Sequence, residues 1–289
     1  MHRHISIVSL VVLAGLLGPV QPVHGQALVP HVLQLDPEQL EQRGLLLAQE
    51  AAQLAQFQQY ELALSRAQLA SQLAPDTPQV WLLLGRLQLQ LGSFEQSLDA
   101  LETARQLDPE DPAALFDLGT AHFRLEDYTQ SIEFIRAGLE LSPAVPGAWF
   151  DLGNAYYQLG RYQEAIEAYE EAIDLQEDFW PAVNNIGLVL YEMGDVDEAL
   201  EKWQEAVEIT DSQEPEPQLA IAVALFAKGE LAEAIAQGEA ALQLDDRYGD
   251  VDFLRQNLWG DRLLSETQTF FQLRPIQEML VQLGTSADE

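Results

Sequence analysis

Small and apolar residues recur along the chain on one long period. Gly85, Gly119, Gly153 and Gly187 stand 34 residues apart, each preceded by an apolar residue: Leu84, Leu118, Leu152 and Ile186. Ala104, Gly138, Ala172 and Ala206 form a third series at that spacing, and Phe94, Tyr128, Tyr162 and Val196 a fourth. Four series sharing one period define a structural unit repeated along the chain. Within a unit, Trp149, Leu152, Gly153 and Tyr156 fall in one stripe when successive residues turn by about 100°. The spacing therefore predicts a helix whose stripe is buried against a second helix. Gly153, Ala165 and Ala172 let the two backbones approach; larger residues there would overpack at a cost of about 1–3 kcal/mol. Gly160 is expected to end the first helix, and Asp108-Pro109 and Ser142-Pro143 to break the second helices.

The segment Pro146-Gly147-Ala148-Trp149-Phe150-Asp151-Leu152-Gly153-Asn154-Ala155-Tyr156-Tyr157 resembles the first helix of a tetratricopeptide repeat (TPR). Gly160-Arg161-Tyr162-Gln163-Glu164-Ala165-Ile166-Glu167-Ala168-Tyr169-Glu170-Glu171-Ala172 resembles the second, although Glu177 replaces the usual late proline. The register extends in both directions. Repeat 78–111 carries Trp81, Gly85, Ala104 and Pro109; repeat 112–145 carries Leu115, Gly119, Tyr128 and Pro143; repeat 180–213 carries Val183, Gly187, Ala199 and Ala206. Repeat 44–77 has Ala51 at the glycine position, and repeat 215–248, preceded by one inserted residue, keeps Gly229, Ala234 and Ala241. The resemblance implies an all-α fold: a TPR right-handed superhelical solenoid of helix-turn-helix repeats over 36–248, about six repeats in all.

The period stops near residue 249, where large apolar residues concentrate: Phe253, Leu258, Trp259, Phe270, Phe271, Ile276, Met279 and Leu280. Three short helices over 249–284 are expected to cap the last repeat, whose apolar face would otherwise meet water. The alternative for this segment is a docking surface, and 285–289 reads as a tail.

At the other end, the weakly basic Met1-His2-Arg3-His4 leads into an apolar run over 5–20, followed by Val23 and Gly25 at the spacing of a signal-peptidase site. Residues 1–25 are read as a signal peptide, with an uncleaved membrane anchor over 5–20 as the alternative; the run is short for a span of about 20 residues. The expected location is exported, periplasm or thylakoid lumen. The chain has 47 acidic and 14 basic side chains, a formal charge of −33. Such a surface repels nucleic acid and anionic membranes and favours basic or neutral partners. Cysteine is absent, which removes disulfides, a thiolate nucleophile and lipoprotein processing.

In TPR proteins a second stripe of each first helix lines the concave groove. In repeat 146–179 that stripe holds Phe150, Asn154 and Tyr157. Translation by the period gives Arg86 and Leu89, then Phe116 and Phe123, then Asn184 and Tyr191, and Phe226 in the last repeat, with Arg124 at the edge. The aromatic and aliphatic ladder Leu89, Phe123, Tyr157, Tyr191, Phe226 suits an apolar helix or an extended peptide; it is equally what inherited packing would leave. The chaperone-type carboxylate clamp is disfavoured: Asn154 matches one of its positions, but Leu82, Phe116 and Phe150 stand where its cations would be.

No catalytic residue, metal site or cofactor is expected. His122 falls on the core stripe; no phosphate loop or His-Glu metalloprotease pattern occurs. Asp245 to Asp252 imitates a calcium loop, but Gly249 is misplaced for one. With 44–248 read as repeats, no attached enzyme domain is expected. The expected function is a protein-interaction scaffold binding a peptide or helix, and the array resembles exported cyanobacterial and chloroplast TPR proteins, which implies an assembly factor for a membrane, photosynthetic complex. The alternative is an envelope protein supporting secretion, pili or cell-wall machinery. Self-association of the array is a further option.

Overall fold

The structure is a computed structural model, and it describes residues 36–286; the leader read at 1–25 lies outside them. Among the described residues the regular elements are all helical. They form antiparallel pairs: α1 (Pro37–Gln56) with α2 (Tyr60–Leu73), α3 (Pro78–Gln90) with α4 (Phe94–Leu107), α5 (Pro112–Arg124) with α6 (Tyr128–Leu141). α7 (Pro146–Gln158) pairs with α8 (Tyr162–Leu175), α9 (Trp180–Met193) with α10 (Val196–Ile209), and α11 (Pro215–Lys228) with α12 (Leu231–Leu244). Each second helix also packs on the first helix of the following pair, and α1, α3, α5 and α7 touch in succession. The result is a TPR solenoid with an inner row of first helices.

Local chemistry sets the boundaries. Proline opens α3, α5, α7 and α11, where a missing N–H costs nothing and the ring presets φ. The carboxylates of Asp111 and Asp127 accept from the amides of Ala113 (2.9 Å) and Gln130 (3.3 Å), capping α5 and α6. Every first helix ends on a residue in the left-handed region at the same register: Gln58 (φ 58°), Gly92 (74°), Glu126 (62°), Gly160 (69°), Gly194 (100°) and Gly229 (87°). Four of the six are glycine, the residue that takes this conformation without steric cost.

In the four central pairs the core is one small residue facing one larger one. Gly85 lies against Leu101, Gly119 against Ile135, Gly153 against Tyr169 and Gly187 against Trp203; a Cβ on Gly153 would stand 2.5 Å from the Tyr169 ring. Leu101, Tyr169 and Trp203 are fully buried. The indole N–H groups of Trp81 and Trp149 donate to the carbonyls of Pro75 (2.7 Å) and Pro143 (2.8 Å), tying each first helix to the end of the preceding pair. His122 packs as expected, stacked on Phe134 at 5.2 Å.

After α12 a 3-10 turn (Asp246–Gly249) leads into α13 (Val251–Gln256), α14 (Asp261–Phe270) and α15 (Arg274–Ser286). Asp245 in this stretch accepts from Arg247. The segment is the expected C-terminal cap, but it covers two surfaces. α15 packs on α12 and the 3-10 turn, which closes the open end of the last pair. α14 turns the other way and lies on α9 and α11, that is, on the inner row itself.

Candidate functional site

The inner face divides into an open and a covered half. In the open half, Arg86 and Arg124 are exposed and Leu89, Phe116, Phe123 and Phe150 are half-buried. The Arg86 guanidinium donates to Asp117 on the next first helix at 2.5 Å. The Arg124 guanidinium lies over the Phe94 ring, 4.8 Å from its centroid. Phe116 rests on Gly138, where a Cβ would stand 2.5 Å from its ring. Phe123 meets Tyr128 edge-on at 5.2 Å, and Phe150 lies between Tyr169 (5.7 Å) and Phe179 (5.5 Å). Further out, an uncharged cleft of about 770 Å³ lies between α1 and α3, walled by Leu45, Leu46, Val80 and Leu83.

At the centre of the row the polar residues bond to one another. The Asn154 carbonyl accepts from the buried Tyr169 hydroxyl (2.7 Å) and from the Asn185 amide (3.0 Å). Asn184 donates to Asn185 at 3.2 Å, and its backbone carbonyl accepts from Trp203. The Asn184 side-chain oxygen, on a residue only 1% exposed, has no hydrogen-bond partner among the described residues. Burial pushes the Asp151 carboxyl up to about 6, with the Asp117 charge adding to the effect. Asp117 itself is raised by burial against the opposing pull of Arg86.

In the other half the chain fills its own groove. Tyr191 is completely buried: its hydroxyl donates to Glu266 on α14, and the Arg262 guanidinium lies 4.7 Å above its ring and donates to its carbonyl at 3.0 Å. The Glu192 carboxylate accepts from the first-turn amides of Arg262 (3.2 Å) and Leu263 (3.0 Å). It thus satisfies donors that a helix start leaves free. The Trp259 indole donates to Glu216 at 3.0 Å. Phe226 packs on Phe270 at 5.6 Å. Tyr157 is buried beside a pocket lined by Leu258, Trp259 and Asp261; its hydroxyl has no partner among the described residues, and burial raises its pKa.

The residues read from sequence therefore share one face but not one environment. Arg86, Leu89, Phe116, Phe123, Arg124 and Phe150 border open space, Asn154 and Asn184 belong to the buried amide cluster, and Tyr191 and Phe226 lie under α14. Asp117, Asp151 and Asn185, which the sequence reading passed over, are themselves a series on the 34-residue period, one position before the apolar residue that precedes each glycine. Phe253 carries no such signal, because it reaches the inner face only through the return of the C-terminal segment.

The repeats match the tetratricopeptide repeat family over residues 45–112, 82–148, 116–182, 150–215 and 184–248. That is most of the chain, and the chain belongs to this family, whose members are in general protein-interaction scaffolds rather than enzymes. None of the curated proteins matches it. Among solved structures it is similar to MamA (residues 41 to the end) from Desulfovibrio magneticus RS-1, at 20% identity over 59% of this chain and 97% of that one, with a TM-score of 0.55. It is similar to the APC/C hetero-tetramer Cut9–Hcn1 at 18% identity over 77% of this chain and 45% of that one, TM-score 0.62. It is also similar to YrrB, described as a TPR protein with an unusual peptide-binding site, at 17% identity over 70% of this chain and 97% of that one, TM-score 0.51. At these identities the likeness is one of fold.

Proposed function

We propose that this scaffold receives a polypeptide segment of a partner protein on the open half of its inner face, in an exported compartment, where it serves the assembly of a membrane complex. The observation that carries the groove reading is the contrast along one row of helices. α9 and α11 already hold a helix of the chain itself, whereas Leu89, Phe116, Phe123 and Phe150 on α3, α5 and α7 remain half-exposed beside Arg86 and Arg124. A face that accommodates α14 through aromatic packing and capped amides has the chemistry to take a second segment alongside it. The fold likeness to a TPR protein described by its peptide-binding site is consistent with this reading.

Export rests on the apolar run over 5–20 and the small residues at 23 and 25. No helix among the described residues is long and apolar enough to cross a membrane. Mass spectrometry of the mature amino terminus tests export; an intact Met1 on the soluble protein overturns it.

The groove is tested by placing a photo-crosslinking phenylalanine analogue at Leu89 or Phe123 in the full chain. Adducts to one partner from both positions, lost in Phe123→Ala with unchanged helicity, are the expected result. Adducts only from a control position on the outer face, such as Glu171, would move the partner to the acidic outer surface. There a cleft of about 670 Å³ is walled by Glu140, Glu164, Glu167 and Asp174 over Trp149.

A further inference from the structure

Between the open and covered halves the inner face holds a pocket of about 660 Å³, closed on one side by the turn after α13. Its walls include three aromatic rings from separate elements: Phe150 on α7, Trp180 at the start of α9 and Phe253 on α13. Its polar lining includes Asn184 and Glu216. The Asn184 side-chain oxygen is buried and without a hydrogen-bond partner among the described residues. Glu216, on the first turn of α11, is 8% exposed; its carboxylate accepts from the Trp259 indole at 3.0 Å and is also bonded by Asn184 and Tyr248.

We infer that this pocket binds the guanidinium of an arginine side chain carried by the partner segment. The inference rests on the reading of the inner face as the partner's site. A guanidinium is planar, presents five N–H donors and stacks on aromatic faces. The pocket offers the converse: aromatic walls, a carboxylate, and beside it a buried amide oxygen with nothing to accept. An ammonium would use the acceptors but not stack on the aromatic walls. An anion would need a cation. Arg124, which also lines the pocket, has its guanidinium over Phe94 instead.

The chain makes a related pairing with its own residues further along α9. There Arg262 lies over the Tyr191 ring, 4.7 Å from the centroid, with Glu266 at 3.5 Å. The formal charge of −33 draws cationic segments toward the molecule from a distance.

Burial pushes the Glu216 carboxyl up to about 7; hydrogen bonds from Trp259, Asn184 and Tyr248 oppose the rise and the Glu214 charge adds to it. From the inner row, Asn184 of α9 faces it, and Arg124 of α5 lines the same pocket. A bound guanidinium favours the ionised carboxylate, so binding must tighten as pH rises through that range.

The test titrates the full chain with N-acetyl-arginine amide, N-acetyl-norleucine amide and N-acetyl-glutamate amide by isothermal calorimetry at pH 6 and pH 8. The arginine compound is expected to bind at least about tenfold more tightly than the other two at pH 8, and more weakly at pH 6. Glu216→Gln, checked for unchanged helicity, should lose at least about tenfold of that affinity, and Trp180→Leu should weaken it through the lost wall. Equal binding of the norleucine or glutamate compound, or undiminished arginine binding by Glu216→Gln, overturns the inference. The two readings fail separately. Partner adducts from Leu89 and Phe123 that persist in Glu216→Gln at full strength count against the arginine pocket alone. Arginine binding without any such adducts counts against the groove alone.

Discussion

The ring of Phe270 fills the space that Gly238 leaves on α12: a Cβ at Gly238 would lie 2.6 Å from it. Gly238 occupies the register position held by Leu101, Ile135, Tyr169 and Trp203 in the preceding repeats, and the facing position on α11 is the small Ala222. The last repeat therefore has a small residue on both helices, and α14 supplies from outside the large side chain that the repeat lacks. Phe270→Ala should cost about 3–5 kcal/mol, the usual range for a buried phenylalanine, and should loosen α14 before the repeats. Hydrogen exchange resolved by segment checks this: faster exchange in α14 with α3 to α8 unchanged is expected. Gly238→Ala should also destabilise, and Phe270→Leu in that background should recover part of the loss. Simple additivity in this double-mutant cycle would show that the two sites do not interact.

The ends of the first helices offer a stabilising change. Gln58 and Glu126 hold left-handed backbone at the register where Gly92, Gly160, Gly194 and Gly229 stand. For an L side chain that conformation costs about 1–2 kcal/mol, of which the greater entropy of glycine in the unfolded chain returns part. Glu126→Gly is expected to raise stability by about 0.5–1 kcal/mol in denaturant unfolding, and Gly160→Ala to lower it by about 1 kcal/mol. Both effects should leave the slope against denaturant unchanged.

Stability should fall as pH rises from weakly acid to neutral, because two buried carboxyls hold their protons longer in the folded chain. Asp151 is raised from 3.8 to about 6 and Glu216 from 4.5 to about 7, in both cases chiefly by burial. The folded state binds more protons than the unfolded one between the two values. The stabilising contribution is therefore full below about pH 4 and is lost as pH passes through the folded values. Glu216→Gln removes one such group and should gain up to about 3 kcal/mol at pH 8 relative to the parent, with little gain at pH 4. Thermal unfolding at the two pH values checks the sign; an equal gain at both would exclude ionisation as the cause. Retention of a destabilising acid is what a binding role for Glu216 would require.

The amide cluster is a packing device as well as part of the face. Asn154→Leu leaves the fully buried Tyr169 hydroxyl without its acceptor and the Asn185 amide with only the Tyr169 hydroxyl at 3.5 Å. Each buried orphan costs about 1–3 kcal/mol. The variant should melt lower, and Tyr169→Phe in the same background should restore part of the loss.

Much of this arrangement was legible in the chain. The spacing of Gly85, Gly119, Gly153 and Gly187 reported the helix pairs, since a close helix crossing needs a small residue at the same point in every unit. Translation of Phe150, Asn154 and Tyr157 by the period picks out residues that share the inner row of helices. The period could not distinguish positions along that stripe. Leu89 and Tyr191 stand in equivalent places, yet one is half-exposed and the other lies beneath α14.

The sequence by itself determined the solenoid, because each unit packs only on its neighbours and a local pattern repeated at a constant interval contains all the information that packing needs. Only the tertiary structure decided which half of the inner face stays open. That choice depends on the space beside Gly238 that Phe270 enters, and on Glu192, Glu216 and Tyr191 meeting partners 43 to 75 residues away on a segment that carries no repeat. Contacts of that range follow from shape and charge in three dimensions, and no periodicity along the chain encodes them.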